Sequence, residues 1–447
     1  MEFYDTGMHS QIINFAKIAI SGESDLNSYK ALLVYGTKGI GKTVSAMDFC
    51  AKRKSTLYFS FRHIDAALAP LMFSLDCDAI DTCDKWADFF AHLEMTARRR
   101  TTIVIFDDVD RRNDKDEFIS ELDKFLQSKK HNCVVVLLCR KDIQLPFKVM
   151  KYEMPLFTPW DLNRIFPGRN RIELMRIYTV TAGIPALVAA YDGEQSFEAN
   201  LKAFFAPDSA FYRWTAEYMS EEFRSPESYN TLFFGMSMGE TRIVQLSEMS
   251  GFPNNKCDKY IKALDAAGLI EKSVEPDESG TMRTNYRPKN AYLELWYRYI
   301  FPNQTVLFNE PAETLIKDIV EKVDYYYLPQ EFRRACVRWL ENKGQFRYYE
   351  MLHFDDVDRQ NITIDTYRFD FMLRGKDKRY FIKIWDRIDQ TFDKKAFVEF
   401  EEAALTISPH YNNEYLIFSI NRFSDYCWQQ VRPYENVKLI QSEMLKY

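Results

Sequence analysis

Short runs of apolar residues, separated by longer stretches with helical spacing, mark the first third of the chain. These runs occupy residues 31–35, 56–61, 102–106 and 133–139. Runs this short and this continuous predict strands that are buried on both faces, as in a parallel sheet. Apolar residues at three-to-four spacing between them predict helices. The pattern therefore predicts an α/β domain over residues 1–156.

Beyond residue 156 the apolar positions recur mainly at helical spacing. Residues 157–226 predict a helical lid, and residues 227–303 predict three helices followed by a strand hairpin, which is the order of a winged helix. Residues 304–447 predict helices over 311–343, strands at 367–373, 380–385, 415–420 and 437–440, and helices at 394–405 and 424–431. That order is typical of a restriction-endonuclease-like α/β domain.

A glycine-rich loop joins the first predicted strand to a helix predicted at 43–52. The loop reads G-x-x-x-x-G-K-T, the P-loop pattern of nucleoside triphosphatases, and it follows a strand and precedes a helix. Glycines let backbone N–H groups surround a phosphate, and the helix N-terminus adds a favourable dipole. We expect Lys42 to reach the β- and γ-phosphates and Thr43 to ligate Mg²⁺. The candidate nucleotide contacts are Gly36, Thr37, Lys38, Gly39, Ile40, Gly41, Lys42, Thr43 and Val44.

Two acids and an arginine follow later strands of the same predicted sheet. Asp107 and Asp108 end the run at 102–106; Asp107 is the candidate Mg²⁺ ligand, and Asp108 is the candidate that orients the attacking water. Arg140 follows the run at 133–139, where ligands bind in open α/β sheets. It either contacts the γ-phosphate or is a solvated strand end. The later strands carry no N-K-x-D motif, so ATP is favoured over GTP.

Composition narrows the class of protein. The net charge of −6 over 447 residues does not favour a general nucleic-acid binder, and the third helix of the predicted winged helix is only mildly basic. Duplex DNA binding and a purely structural winged helix both stay open. The chain has no run of 18 apolar residues and no basic leader, which predicts a cytoplasmic protein without a membrane segment. The eight cysteines include no C-x-x-C pair, which favours reduced thiols.

The C-terminal domain carries part of a nuclease pattern. Nucleases with this order of elements need an acid at a strand end, and then an acid and a lysine on the next strand, to bind metal. Asp370 and Lys383 suit the first acid and the lysine, and Glu331 suits a helical acid. Phe381 stands where the second acid belongs. This substitution removes a metal ligand and argues against cleavage.

Several segments together resemble a known family. The segments YGTKGIGKT, IVIFDD, LLCR, TAGIPALV and YLELWYRYIFPN resemble the archaeal-type ATPases of prokaryotes, in the STAND branch of the AAA-related P-loop ATPases. The resemblance spans nearly the whole chain. It implies an ATP-hydrolysing switch with Lys42, Thr43 and Asp107 in their usual roles, Arg140 as a sensor and Pro185 near adenine. The chain departs from the family at Asp108, where a glutamate is frequent, and at Phe381, where the family has an acid.

The sequence thus predicts an ATP-binding and ATP-hydrolysing switch that couples nucleotide state to a winged helix and a C-terminal domain. DNA-related, defence or regulatory signalling is the expected setting, with duplex DNA, a protein partner or a second copy of the chain as partners. Two alternatives stay open. One is an ATP-gated DNA-binding nuclease, and the other is a scaffold that holds ATP without hydrolysing it.

Overall fold

The computed structural model describes the chain except residues 1–6, 22–28, 76–82, 99–100, 112–113, 129–131, 277–281, 309–312, 343–349, 354–369, 375–377, 409–411, 432–435 and 447. The chain divides into two compact units, Met1–Leu156 and Phe157–Tyr447. Across the described residues, no helix combines the length and the apolar character needed to cross a bilayer.

The first unit alternates strands with helices. Its elements are α1 (Met8–Ser21), β1 (Ala31–Tyr35), α2 (Lys42–Ala51), β2 (Thr56–Ser60), α3 (Ala69–Leu75), α4 (Trp86–Thr96), β3 (Thr102–Asp107), a 3₁₀ turn (Val109–Arg111), α5 (Lys115–Gln127), β4 (Cys133–Cys139) and β5 (Val149–Glu153). Within the described residues the strands form one sheet in the order β2-β3-β4-β1-β5, and every pairing is parallel. The prediction of an α/β fold with a parallel central sheet is confirmed.

Both faces of this sheet are covered by helices. Leu33 and Phe106 face the side packed by α3, α4 and α5, whereas Leu32 and Ile105 face the side packed by α1 and α2. Burial on both faces explains why these strands are continuous apolar runs. Because the strands are parallel, their C-terminal ends lie at one edge of the sheet, where the candidate site residues follow them.

The second unit begins with helices and ends with a mixed sheet. Its helices are α6 (Pro159–Ile165), α7 (Arg171–Thr181), α8 (Pro185–Ala190), α9 (Phe197–Phe204), α10 (Ala210–Glu222), α11 (Pro226–Ser237), α12 (Ile243–Ser250), α13 (Asn254–Ala266), α14 (Ala291–Leu295), α15 (Gln304–Phe308), α16 (Glu313–Lys322), α17 (Leu328–Asn342), α18 (Lys394–Ile407) and α19 (Asp425–Val431). π-helical turns lie at Trp296–Ile300 and Val323–Tyr327, and 3₁₀ turns at Phe301–Asn303 and Ser442–Met444.

The strands of this unit fall into a hairpin and a larger sheet. They are β6 (Ile270–Pro276), β7 (Met282–Pro288), β8 (Glu350–His353), β9 (Phe371–Arg374), β10 (Lys378–Trp385), β11 (Asn412–Ser419) and β12 (Val437–Gln441). β6 and β7 pair antiparallel after α13. The sequence predicts the tip of this hairpin at residues 275–280; residues 275 and 276 are the end of β6, and residues 277–280 lie outside the described residues. The larger sheet has the order β12-β11-β10-β9-β8, parallel from β12 to β10 and antiparallel beyond. Residues 367–369 of the predicted first strand also lie outside the described residues.

Polar contacts join the predicted lid to later parts of the second unit. Arg176 on α7 forms a two-point ion pair with Asp324, with nitrogen–oxygen distances of 2.7 and 2.6 Å. The backbone N–H of Trp160 donates to the carbonyl of Leu445. The helices predicted as a lid therefore pack within the same compact unit as the C-terminal segment.

The aromatic segment YLELWYRYIFPN makes a set of specific bonds in the same unit. The Trp296 indole N–H donates to the carbonyl of Tyr212 on α10, at 2.9 Å. The Tyr297 hydroxyl donates to Asn230 on α11 at 2.8 Å, and Arg298 donates to the carbonyl of Ser237. Buried aromatic side chains with a polar tip need such partners. The segment thus bonds to the last predicted lid helix and to the first helix of the predicted winged helix.

Candidate nucleotide-binding site

The glycine loop between β1 and α2 has a backbone that only glycine adopts easily. Gly41 precedes α2 with φ +94°, which is a left-handed conformation, and no side chain caps the helix. The N–H groups of the first turn therefore remain directed out of the helix start, as an anion site requires. Ile40 is buried, and a Cβ on Gly36 would lie 3.2 Å from its side chain. The side chain of Val44, in contrast, is exposed.

Lys42 is buried at the start of α2 and turns back onto the loop. Its ammonium group donates to the carbonyl of Gly36 and, at 3.2 Å, to that of Thr37. Burial lowers the pKa of Lys42, and the negative charges of Asp107 and Asp110 oppose that shift. The loop carbonyls therefore hold a cationic group directly beside the backbone N–H groups of the helix start.

The predicted magnesium ligands are brought together. The Thr43 hydroxyl donates to Oδ2 of Asp107 at 2.6 Å. The Tyr58 hydroxyl, on β2, donates to the same oxygen at 2.8 Å. Burial raises the pKa of Asp107, while these two hydrogen bonds oppose the shift. Tyr58 was not predicted from the sequence; it reaches Asp107 because β2 and β3 are neighbours with Ser60 paired to Asp107.

Asp108 follows Asp107 in a left-handed conformation, with φ +60°. Its backbone N–H donates to Oδ1 of Asp107 at 2.8 Å, so both oxygens of the Asp107 carboxylate accept hydrogen bonds. Left-handed backbone at a residue other than glycine costs energy and is concentrated at functional sites. The turn separates the two carboxylates: Asp107 is fully buried and Asp108 only half-buried.

A third acid, Asp110, connects this turn to β4. Its Oδ2 accepts the backbone N–H of Arg140 at 2.9 Å. Burial raises the pKa of Asp110, and the Arg140 backbone hydrogen bond opposes that shift. Asp110 and Arg140 also lie close enough to Lys42 to act on its pKa. The sequence signal for Asp110 is an acid three residues after the strand end at Asp107.

The residues at this edge fit a magnesium ion. Mg²⁺ is usually bound by one or two carboxylates together with substrate phosphates and water. The Asp107 carboxylate and the Thr43 hydroxyl are hard oxygen donors 2.6 Å apart. The hydroxyl keeps lone pairs for a cation while it donates to Asp107.

Pro185 lies in the second unit, at the first position of α8. Two residues before Pro185, Gly183 has φ +67°, and a Cβ there would lie 2.1 Å from the carbonyl oxygen of Phe157. The Gly183 carbonyl accepts the Phe157 N–H at 2.8 Å. The close packing of Gly183 against Phe157 therefore explains the glycine of the Gly-Ile-Pro tripeptide without a bound nucleotide. Contact between Pro185 and adenine stays a prediction.

The residues of the nuclease pattern are only partly assembled. Nζ of Lys383 lies 3.9 Å from Oδ2 of Asp370. Glu331 is directed elsewhere, since its Oε1 accepts the Ala291 N–H at 2.7 Å and pairs with Arg334. The prediction of Glu331 as a helical acid of this site is wrong.

The parallel sheet, the glycine loop and the Thr43–Asp107 pair define an α/β protein of the P-loop class. No family model matches the chain, so comparison with known proteins does not assign it to a particular family. An uncharacterized protein of Methanocaldococcus jannaschii is 23% identical over 405 residues, which cover 81% of this chain and 88% of that protein.

Two solved structures illustrate the structural comparison. The Aeropyrum pernix ORC1 protein in complex with DNA is 13% identical, with a TM-score of 0.35, over 70% of this chain and 94% of that one. A STAND ATPase with a tetratricopeptide repeat sensor from Pyrococcus horikoshii is 15% identical, with a TM-score of 0.30, over 71% of this chain. The match spans about half of that protein, at 52%.

Proposed function

We propose that this chain is a Mg²⁺-dependent ATPase that acts as a nucleotide-controlled switch. The observation that carries the proposal is the set of groups at one edge of the parallel sheet. A loop lysine, a helix start without a side-chain cap, a Thr43–Asp107 pair and a half-buried second acid lie together there. This is the set of groups that phosphoryl transfer from a nucleoside triphosphate requires.

Each residue has a distinct role in the proposed reaction. Lys42 and the N–H groups of the loop bind the β- and γ-phosphates. Thr43 and Asp107 hold Mg²⁺, which supplies charge neutralisation on the phosphate oxygens. Asp108 orients a water molecule whose oxygen attacks the γ-phosphorus, while the bond from that phosphorus to the β,γ-bridging oxygen breaks. ADP leaves, and the water protons pass to solvent and to inorganic phosphate. Arg140 senses the γ-phosphate.

The second unit is the proposed responding element. Within it, the helices at 157–226 are bonded to the aromatic segment and to Asp324, so a displacement of these helices would carry their neighbours with it. A bound nucleotide can shift such an equilibrium only through contacts that differ between the two states. Contact of Pro185 with the base is the contact we propose for the ATP state.

For the winged-helix segment at 227–303 we favour a structural or protein-binding role over DNA reading. Two of the lysines on α13 are engaged within the chain. Nζ of Lys256 lies 3.8 Å from the ring centroid of Phe252, and Lys262 pairs with Asp258 at 2.7 Å. Phosphate binding needs clustered cations that can turn toward DNA.

Steady-state ATP hydrolysis tests the proposal. We expect Mg²⁺-dependent turnover in the wild type, loss of ATP binding in Lys42→Ala, and at least about a 100-fold lower turnover with retained binding in Asp108→Asn. Lys52→Ala, which removes an exposed lysine directly after the same helix, is the matched control and should behave like the wild type. ATP binding by Lys42→Ala equal to that of the wild type would refute the P-loop assignment.

The same assay separates the alternatives. Stimulation of turnover by duplex DNA, lost in Asp108→Asn, would make the winged helix a DNA site. DNA-independent turnover supports a switch that responds to another partner. Retained nucleotide without phosphate release would establish the scaffold instead.

A further inference from the structure

An arginine of the C-terminal domain lines a cleft and binds two acids there. Nη1 of Arg333, on α17, is 2.7 Å from Oδ1 of Asp370, which lies just before β9. Nε of the same guanidinium is 2.5 Å from Oδ2 of Asp386, which follows β10. Two carboxylates from different strand ends therefore converge on one cation.

The two carboxylates are already engaged. The second oxygen of Asp370 accepts the backbone N–H of Ile384 at 2.7 Å. Lys383 approaches that oxygen at 3.9 Å. Both oxygens of Asp370 thus have partners that a metal ligand would have to exchange.

A divalent cation, which the nuclease-like interpretation implies, does not fit these residues. Phe381, at the position of the second acid, is fully buried in the apolar core beside Phe397 and Ile417. Among the residues that the structure describes, no group of three or more His, Cys, Asp or Glu side chains could hold a metal. The cleft beside these residues, of about 580 Å³, is lined by four basic residues and three acidic ones: Arg333, Lys383, Arg387 and Lys395, and Asp386, Asp393 and Glu399.

We infer that Arg333 takes the place of the divalent cation, binding Asp370 and Asp386 together, so that the wild-type cleft holds no metal. Removing the guanidinium leaves two neighbouring carboxylates without their shared cation. With only Lys383, 3.9 Å from Asp370, left to compensate them, two carboxylates in a partly buried site are costly, and hard divalent cations prefer such oxygens. Loss of Arg333 therefore creates a site for a divalent metal. The inference does not depend on ATP hydrolysis.

The experiment uses the full chain without nucleotide and Mn²⁺ as the probe. Bound Mn²⁺ is counted by electron paramagnetic resonance, and unfolding is followed by thermal denaturation. We expect Arg333→Gln to bind one Mn²⁺ more than the wild type and to have a lower Tm that Mn²⁺ restores. Arg176→Gln is the matched control: it removes an arginine that pairs with a single carboxylate, Asp324, in the same unit. It should lose stability without gaining metal.

Further variants make each outcome decisive. The double variant Arg333→Gln/Asp370→Asn should lose the additional Mn²⁺. An Mn²⁺ bound by the wild type and lost in Asp370→Asn would overturn the inference, and this comparison needs no arginine variant to fold. Equal metal responses of Arg333→Gln and Arg176→Gln would also overturn it, as would an Arg333→Gln protein that folds but gains no Mn²⁺.

Discussion

The pH dependence of stability in the second unit should depend strongly on one buried acid, Glu294. This residue lies on α14, in the aromatic segment, with a side chain that is 8% exposed. Burial raises its pKa to about 7, although Arg334, Arg298 and Arg287 oppose the shift; Glu331 reinforces it. The folded chain therefore holds a proton on Glu294 at pH values where the unfolded chain has released it.

The magnitude follows from the two pKa values. The ordinary value is 4.5 and the folded value about 7, and the difference between them corresponds to about 3 kcal/mol at about 1.4 kcal/mol per pH unit. Between these pH values only the folded state binds the proton, so the free energy of unfolding decreases as the pH rises. The contribution of the Glu294 proton to the free energy of unfolding is fully present below pH 4.5 and is lost as the pH rises through about 7. Glu294→Gln removes the titrating group, and should be more stable than the wild type at pH 8 by up to about 3 kcal/mol.

Urea denaturation across pH 5 to 8.5, followed by tryptophan fluorescence, measures this effect. Of the 7 tryptophans, all but Trp86 lie in the second unit, so the signal reports mainly on that unit. Glu321→Gln is the control, because it makes the same change at an exposed site on α16. The reasoning fails if Glu294→Gln keeps the pH slope of the wild type. It also fails if the variant is less stable than the wild type at pH 8, since the arginines would then hold Glu294 ionised.

Three further predictions concern residues around the candidate site and the Gly-Ile-Pro tripeptide. Tyr58→Phe removes a hydrogen bond to Asp107 and should raise the Mg²⁺ concentration needed for half-maximal ATP turnover about tenfold. Tyr35→Phe removes a hydroxyl that contacts an exposed glutamate, and should leave this concentration unchanged. Asp110→Ala frees the N–H of Arg140 and should lower turnover about tenfold with ATP binding unchanged in a filter-binding assay; weaker ATP binding would mean that Asp110 supports the loop instead. Gly183→Ala should lower the free energy of unfolding by more than about 1 kcal/mol, because the new Cβ meets a carbonyl oxygen. Gly239→Ala is the control: the backbone there also has a positive φ, but the new Cβ would have no atom of the described residues within 4 Å. The difference between the two variants separates the clash from backbone strain.

The strands of the first sheet could be predicted because burial on both faces makes them continuous apolar runs. β1 and β4 have the predicted bounds, Ala31–Tyr35 and Cys133–Cys139. β5, Val149–Glu153, was missed because it lies at the sheet edge and is only partly buried. Its mixture of apolar, basic and acidic residues gives no strand signal by itself.

In the candidate site, residues specified by a local sequence pattern could be predicted, and residues brought together only by folding could not. Lys42, Thr43 and Asp107 could be recognised because a short motif and a strand end specify them. Tyr58 could not, because its role comes from the register between β2 and β3. Arg333 could not either, because the two acids that it binds lie 37 and 53 residues away in the chain. Only the folded chain brings these charges together.

The aromatic segment also determines where the chain can be divided. Trp296, Tyr297 and Arg298 bond to α10 and α11, which lie on opposite sides of the predicted boundary at residue 226. A fragment that begins at residue 227 would retain the segment but remove its partners on α10, leaving a large apolar surface to aggregate. A fragment that begins at Phe157, where the two compact units divide, keeps every one of these bonds. Recombinant expression of the second unit should therefore start there.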